Sequence, residues 1–153
     1  MDSLHTESTQ LDQLMPLIRE KLAEGHSVRF SPRGLSMLPM LRHGKDSVVL
    51  SPLPTKFKKY DLPLYQRDNG QYILHRIVKV GDTFSCIGDN QYYIETGLRK
   101  DQMIAIVTTF YRNGNEIQVN NLIYQIYCRF WHYSRPFRHF FVRSIGWIRR
   151  HLK

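Results

Sequence analysis

The stretch "RGLSMLPML", residues 33–41, sets one serine inside an otherwise apolar turn, between a glycine and a proline. Gly34 frees the backbone two positions before Ser36, and Pro39 fixes it three positions after. Such a turn either presents a hydroxyl for chemistry or carries it as an incidental polar group. A serine hydroxyl is a poor nucleophile at neutral pH, so chemistry needs a base to take its proton. Histidine or a desolvated lysine is the side chain to look for.

Among the seven histidines, His75 has the most informative surroundings. The run "QYILHRIVKV" (71–80) alternates as a strand does, so Ile73, His75 and Ile77 share a face and the imidazole points at an apolar, partly buried surface. Lys79 shares that face by parity but lies well along the strand, and is a poor second choice of base.

The surrounding chain predicts a mostly-β core with helices at both ends, an α+β arrangement. Apolar or β-branched runs recur at 27–31, 47–50, 62–67, 71–80, 83–88, 103–112 and 116–119. The turn signals "RDNGQ" and "RNGNE" fall between them, where Asn-Gly tolerates positive φ. Residues 9–24 predict a helix through Leu11, Leu14, Ile18 and Leu22, capped by Gly25 and beginning near Pro16. The expected organisation is an N-terminal helical segment (1–26), a β-rich domain (27–120) and a tail (121–153).

That tail differs in kind. No Asp or Glu follows Glu116, whereas Arg129, Arg135, Arg138, Arg143, Arg149, Arg150 and Lys153 do. At helical spacing Ile126, Phe130, Phe137, Phe141, Ile145, Ile148 and Leu152 form one apolar stripe, and Pro136 is expected to divide the helix. An amphipathic, aromatic, cationic segment suits an anionic membrane surface, with Trp131 and Trp147 at headgroup depth. The same stripe equally suits packing on the β-domain or on another subunit. The net charge of +9 favours an anionic partner. Nucleic acid is the lesser expectation, although basic residues interleaved with aromatics also bind single strands. Cys86 and Cys128 are too far apart for a metal knuckle and read as reduced thiols. No metal or cofactor is expected. The start "MDSLHTESTQ" has neither the basic nor the apolar region of a secretory signal, and no window is apolar enough to span a bilayer, so a cytoplasmic or peripheral membrane location is expected.

Five blocks, "GLSMLP", "YDLPLYQR", "YILHRIV", "CIGDN" and "KDQMIAIV", stand in the order and approximate spacing of the S26 signal-peptidase family, within the S24/S26 clan of serine peptidases. The resemblance spans about residues 28–108 and implies a signal-peptidase or LexA-like β core. It also implies Ser36 as nucleophile and His75 as base. Bacterial type I signal peptidases and LexA-like repressors place lysine on the corresponding strand. The endoplasmic-reticulum type places histidine in a His-Arg pair, and His75-Arg76 resembles that branch. Histidine is the simpler base, since its ordinary pKa of about 6.5 leaves it neutral at physiological pH.

A third group should orient the imidazole. By motif this is Asp89 in Gly-Asp-Asn, a sequence that also makes a good β-turn on its own. Glu95 is the alternative, because the histidine branch places an acid several residues past that turn, and Asp101 follows behind it. The Ser36 amide is the expected oxyanion donor. Many bacterial relatives add a hydroxyl two residues before the nucleophile, where this chain has Gly34. Met37 and Pro39 are expected to shape the turn and cleft.

The implied activity is a serine endopeptidase that cuts a leader or signal-like segment of a peptide or protein precursor, bound as an extended strand. Two other classes compete. A LexA-like self-cleaving regulator requires a DNA-binding domain ahead of the serine, and only 35 residues precede Ser36. A non-catalytic peptide-binding module on the same fold requires only that the acid be missing or displaced.

Overall fold

The computed structural model describes residues 2–138, with side chains from Leu11 onward. The chain runs α1 (Asp2–Ala23), β1 (Val28–Phe30), β2 (Ser47–Ser51), β3 (Pro63–Gln66), β4 (Tyr72–Leu74) and β5 (Arg76–Val80). Then come β6 (Phe84–Ile87), β7 (Glu95–Leu98), a short 3-10 turn (Lys100–Gln102), β8 (Met103–Arg112), β9 (Asn115–Gln118) and α2 (Leu122–Tyr133). All strand pairing is antiparallel. The architecture is α+β and mostly β.

Two sheets result, one ordered β1-β2-β8-β3-β4 with β9 also on β8, the other β5-β6-β7. The ten-residue β8 is the spine of the first: β2 takes one edge, while β3 and β9 share the other. Two apolar clusters fill the interior. The larger joins Met15, Ile18 and Leu22 of α1 to Val48, Leu50, Leu64 and Val107 of the first sheet, and to Tyr124 and Cys128 of α2. Both helices therefore belong to the core of the β-rich region. The smaller gathers Phe57, Tyr65, Ile77, Phe84, Cys86, Leu98 and Met103 between the sheets.

The run 71–80, expected as one strand, is two. β4 pairs with β3 in the first sheet, β5 pairs with β6 in the second, and His75 is the residue between them. The cause lies in partners: beyond Leu74 the chain leaves β3, and Ile77 exchanges backbone hydrogen bonds with Tyr60 and Asp61 instead. The strand β7 was not anticipated, because "ETGL" carries a glycine (Gly97, φ 76°) that masks its alternation.

The helix α1 does not begin near Pro16 but runs through it. Pro16 lies on the exposed side, where the carbonyl it leaves unpaired can be hydrated. The buried stripe is Met15, Ile18 and Leu22 with Leu11 half-buried, and Leu14 faces solvent. Gly25 ends the helix as expected: at φ 82° it lets His26 N–H reach Lys21 O and its own N–H reach Leu22 O. Both Asn-Gly turns also form, with Asn113 and Gly114 both at positive φ.

Within the described residues the tail stripe does not pack on the β-domain, one of its expected arrangements. α2 packs on the core through Tyr124 and Cys128, leaving Ile126 and Phe130 exposed, with Phe137 exposed just beyond it. It ends at Tyr133 with Ser134 as its C-cap, two residues before Pro136, and a further helical turn covers 135–138. Phe141, Arg143, Ile145, Trp147, Ile148, Arg149, Arg150, Leu152 and Lys153 lie outside the described residues. Among the described residues no helix is long and apolar enough to cross a membrane, and no group of His, Cys, Asp or Glu is placed to hold a metal ion. Cys86 and Cys128 are free and buried.

Candidate active site

Ser36 sits in the turn between β1 and β2, and three neighbouring groups hold that turn by its backbone. Leu38 N–H bonds Leu35 O, Asn90 N–H bonds Ser36 O at 2.8 Å, and Asn90 Nδ2 bonds Leu35 O at 3.2 Å. The approach from the Gly88-Asp89-Asn90 turn is so close that a Cβ on Gly88 would stand 2.6 Å from Ser36 O. Glycine is therefore required there for contact, not for its φ. Gly34, at φ 100°, does need a left-handed backbone, and its N–H bonds His43 Nδ1. Met37 is buried in the larger core, anchoring the turn from below. Pro39, after a cis peptide bond, is exposed, and its carbonyl accepts from Arg112.

Ser36 and His75 line one small cavity of about 120 Å³, together with Gly34, Met37, Tyr72 and Leu74. Pro39 is not part of its lining. Ser36 and His75 both line this space, with no hydrogen bond between them in this structure; catalytic hydrogen bonds commonly tighten only when substrate is bound. Among the described residues no backbone hydrogen bond uses the Ser36 N–H. The cavity adjoins a groove of about 860 Å³, whose walls include Arg29 and Phe30 of β1, Gln71 to Ile73 around β4, and Leu11 and Leu14 of α1. β1 and β4 are the two ends of the first sheet, so the groove runs past unpaired strand edges.

His75 is 3% exposed. Burial, then the positive charge of Arg67, brings its pKa down to about 4, against smaller upward pulls from Glu95 and Asp89. The ring is therefore neutral above that pH. Its tautomer follows from its neighbours. Tyr65 Oη lies 3.4 Å from His75 Nδ1 and 2.8 Å from Glu95 Oε2. The phenol has one proton, and the Glu95 carboxylate can only accept, so Tyr65 donates to Glu95 and its oxygen accepts from Nδ1–H. Nε2 then carries the lone pair, the form a base requires. Glu95 is fixed in turn by Arg67, whose Nε and Nη2 each reach it at 2.8 Å, and this pairing holds its carboxyl below the usual range.

Asp89 is elsewhere. It is 2% exposed and forks with Arg76, Nε to Oδ1 at 2.9 Å and Nη2 to Oδ2 at 2.8 Å. Tyr127 Oη adds a third bond at 3.2 Å. Its influence on His75 is electrostatic and ranks behind that of Glu95. Arg76 also donates to Tyr60 O, Tyr124 Oη and Cys128 Sγ, and contacts Met40 Sδ at 2.9 Å. One buried guanidinium thus ties together the end of the Ser36 turn, the Gly-Asp-Asn turn and α2. Trp131 Nε1 and Arg138 Nη1 reach the Asp89 carbonyl from the same side. Asp101 is exposed and paired with Arg99, and Lys79 is exposed on β5; neither meets the cavity.

Three roles had no assignment from sequence: Tyr65 as the link to His75, Arg67 as the clamp on Glu95, and Arg76 as the buried hub. Tyr65 was accessible in principle. The recognised "RDNGQ" hairpin sets Tyr65 opposite Ile73, which makes His75 its diagonal neighbour on the same face. Glu95 enters from the sequence only as the alternative acid that the resemblance implies, and no local signal sets it against Tyr65.

Comparisons with protein-family models, with curated proteins and with solved structures find no match.

Proposed function

We propose that the chain is a serine endopeptidase of signal-peptidase type, on a fold of the S24/S26 clan. The observation that carries the reading is the shared cavity of Ser36 and a buried, neutral His75 whose Nε2 is left free by the Tyr65 contact. His75 takes the Ser36 proton as Oγ attacks a peptide carbonyl. The Ser36 amide receives the oxyanion. Collapse of the tetrahedral species passes the proton from His75 to the leaving amine and leaves an acyl-enzyme, which water then hydrolyses with His75 again as base.

The positioning of the imidazole is assigned to Glu95 through Tyr65. Asp89 is assigned to holding the Ser36 turn through Arg76 and through its neighbours Gly88 and Asn90. An intervening phenol stabilises an imidazolium less directly than an adjacent carboxylate. The substrate is a precursor peptide laid in extended form along the free edges of β1 and β4 in the groove beside Ser36. Non-catalytic peptide binding would use the same groove, and the two readings part at Ser36.

The test is cleavage of a diverse peptide library followed by mass spectrometry, with Ser36→Ala and His75→Ala beside the wild-type chain. Cleavage lost in both variants, with folding and peptide binding intact, supports the peptidase. Cleavage retained by Ser36→Ala removes it. A wild-type chain that binds library peptides but neither cuts them nor forms a fluorophosphonate adduct at Ser36 favours the binding module.

A further inference from the structure

The helix α2 is apolar on both sides. Tyr124 and Cys128 face inward, while Leu122, Ile123, Ile126, Phe130 and Tyr133 form a continuous outward ridge at helical spacing. Ile123 is 78% and Phe130 68% exposed, so this ridge is left to solvent by the fold itself. A contiguous apolar strip of this kind marks a surface that meets something.

Charge says what it meets. Lys59 reaches over the Tyr60 and Tyr133 rings, and Arg129 reaches over Tyr60, placing cations along the ridge. The chain beyond Glu116 contains no acidic residue, and the carboxylate bonded to α2, that of Asp89, is buried against Arg76. A second copy of a chain with net charge +9 would bring like charges together at such a ridge. Nucleic acid would satisfy the cations but not the aliphatic side chains of Leu122, Ile123 and Ile126, which offer no ring for stacking. An anionic lipid surface satisfies both.

We propose that the outward ridge of α2 lies in the headgroup boundary of an anionic bilayer, its aliphatic and aromatic side chains among the acyl chains and Lys59 and Arg129 against lipid phosphate. Trp131 bonds the Asp89 carbonyl, and the next residue, Asn90, bonds Ser36 O, so the lipid-facing helix is tied to the Ser36 turn through two hydrogen bonds. Docking α2 thereby holds that turn at a fixed place relative to the bilayer.

The experiment is co-sedimentation of the full chain with vesicles of phosphatidylcholine alone and of phosphatidylcholine mixed with phosphatidylserine. Binding to the mixed vesicles should exceed the other at least about tenfold and weaken as salt is raised. The pair Ile126→Ser and Phe130→Ser should lower it by about tenfold or more. Should that variant lose its circular-dichroism signal, the exposed pair Lys59→Glu and Arg129→Glu carries the test, with the same loss expected. Ser36→Ala should bind vesicles as the wild-type chain does, which separates this surface from the chemistry. Equal binding to the two vesicle types, or unchanged binding by a folded ridge variant, overturns the proposal. So does a dimer on size exclusion, or retention on single-stranded DNA, that the ridge substitutions abolish in a chain that ignores vesicles.

Discussion

Acid titration of stability, with and without the His75 imidazole, probes the property on which the proposed chemistry depends. In the folded chain the group titrates at about 4, below its ordinary value of 6.5, because burial disfavours the charged ring. The unfolded chain therefore binds more protons than the folded one between those two values. Stability from this group is full above pH 6.5 and is lost as pH falls toward 4. A difference of roughly 2.5 units at 1.4 kcal/mol each gives about 3 kcal/mol, a large share of the 5–15 kcal/mol typical of a small domain. Urea unfolding at half-unit steps from pH 7 to pH 4, for the wild-type chain and for His75→Gln, isolates it. His132 is also lowered by burial, but it is present in both chains and cancels in the difference. The wild-type curve should fall about 3 kcal/mol further than the variant's across the window, most steeply between pH 6 and pH 4.5. Parallel curves would mean that the ring is charged or hydrated in the folded state, and a base of the proposed kind would not exist.

Three further outcomes are expected. Tyr65→Phe removes the acceptor of His75 Nδ1–H while leaving Arg67 on Glu95. It should cost roughly 1–3 kcal/mol of stability, slow Ser36 acylation about tenfold, and erase the single-tautomer nitrogen signature of His75 in NMR; an unchanged signature refutes the tautomer assignment. Gly88→Ala sets a methyl group 2.6 Å from a backbone carbonyl that cannot swing aside. Unfolding free energy should drop roughly 1–3 kcal/mol and cleavage should fail with it, and a neutral effect in calorimetry would disprove the close clamp. Arg76→Met strands a buried Asp89 carboxylate. A loss of about 3–5 kcal/mol is expected in denaturant titration, with altered Trp131 fluorescence as α2 loosens; a loss below about 1 kcal/mol argues against the hub.

What the sequence made legible follows from how far each signal reaches. The Asn-Gly turns and the Gly25 cap are set by a few adjacent residues, and they form as expected. The long alternating run of β8 also appears as expected. The division of 71–80 into two strands is invisible locally, because either half alternates well and only distant partners decide the break. The helix α2 shows the same limit from another direction. Its hydrophobic stripe is real, but its aromatic side with a tyrosine and a cysteine fits the buried guanidinium better, so the apolar stripe is the one left outside. Ser36 and His75 stand out in the sequence only together, through the order and spacing of the five motif blocks, since a turn serine and an imidazole on an apolar strand each have a structural reading of their own. The third group could not be singled out, since Asp89 and Glu95 differ by which arginine reaches them, Arg76 or Arg67.

The break at His75 explains why the two halves of His75-Arg76 do different work. Successive residues of an extended chain point to opposite sides. At a point where the strand passes from one sheet to the other, those sides are two different interiors. His75 enters the cavity of Ser36 beside the smaller cluster, where burial keeps it neutral. Arg76 enters the junction with α2, where Asp89, Tyr124 and a carbonyl satisfy a charge that could not otherwise be buried. Exchanging the two residues would place a cation against the serine and an imidazole too short and too sparsely provided with donors at the hub. Their order is therefore what the proposed chemistry needs: in that reading the residue nearer β4 serves as the base, and the residue opening β5 is the strut that holds the serine turn.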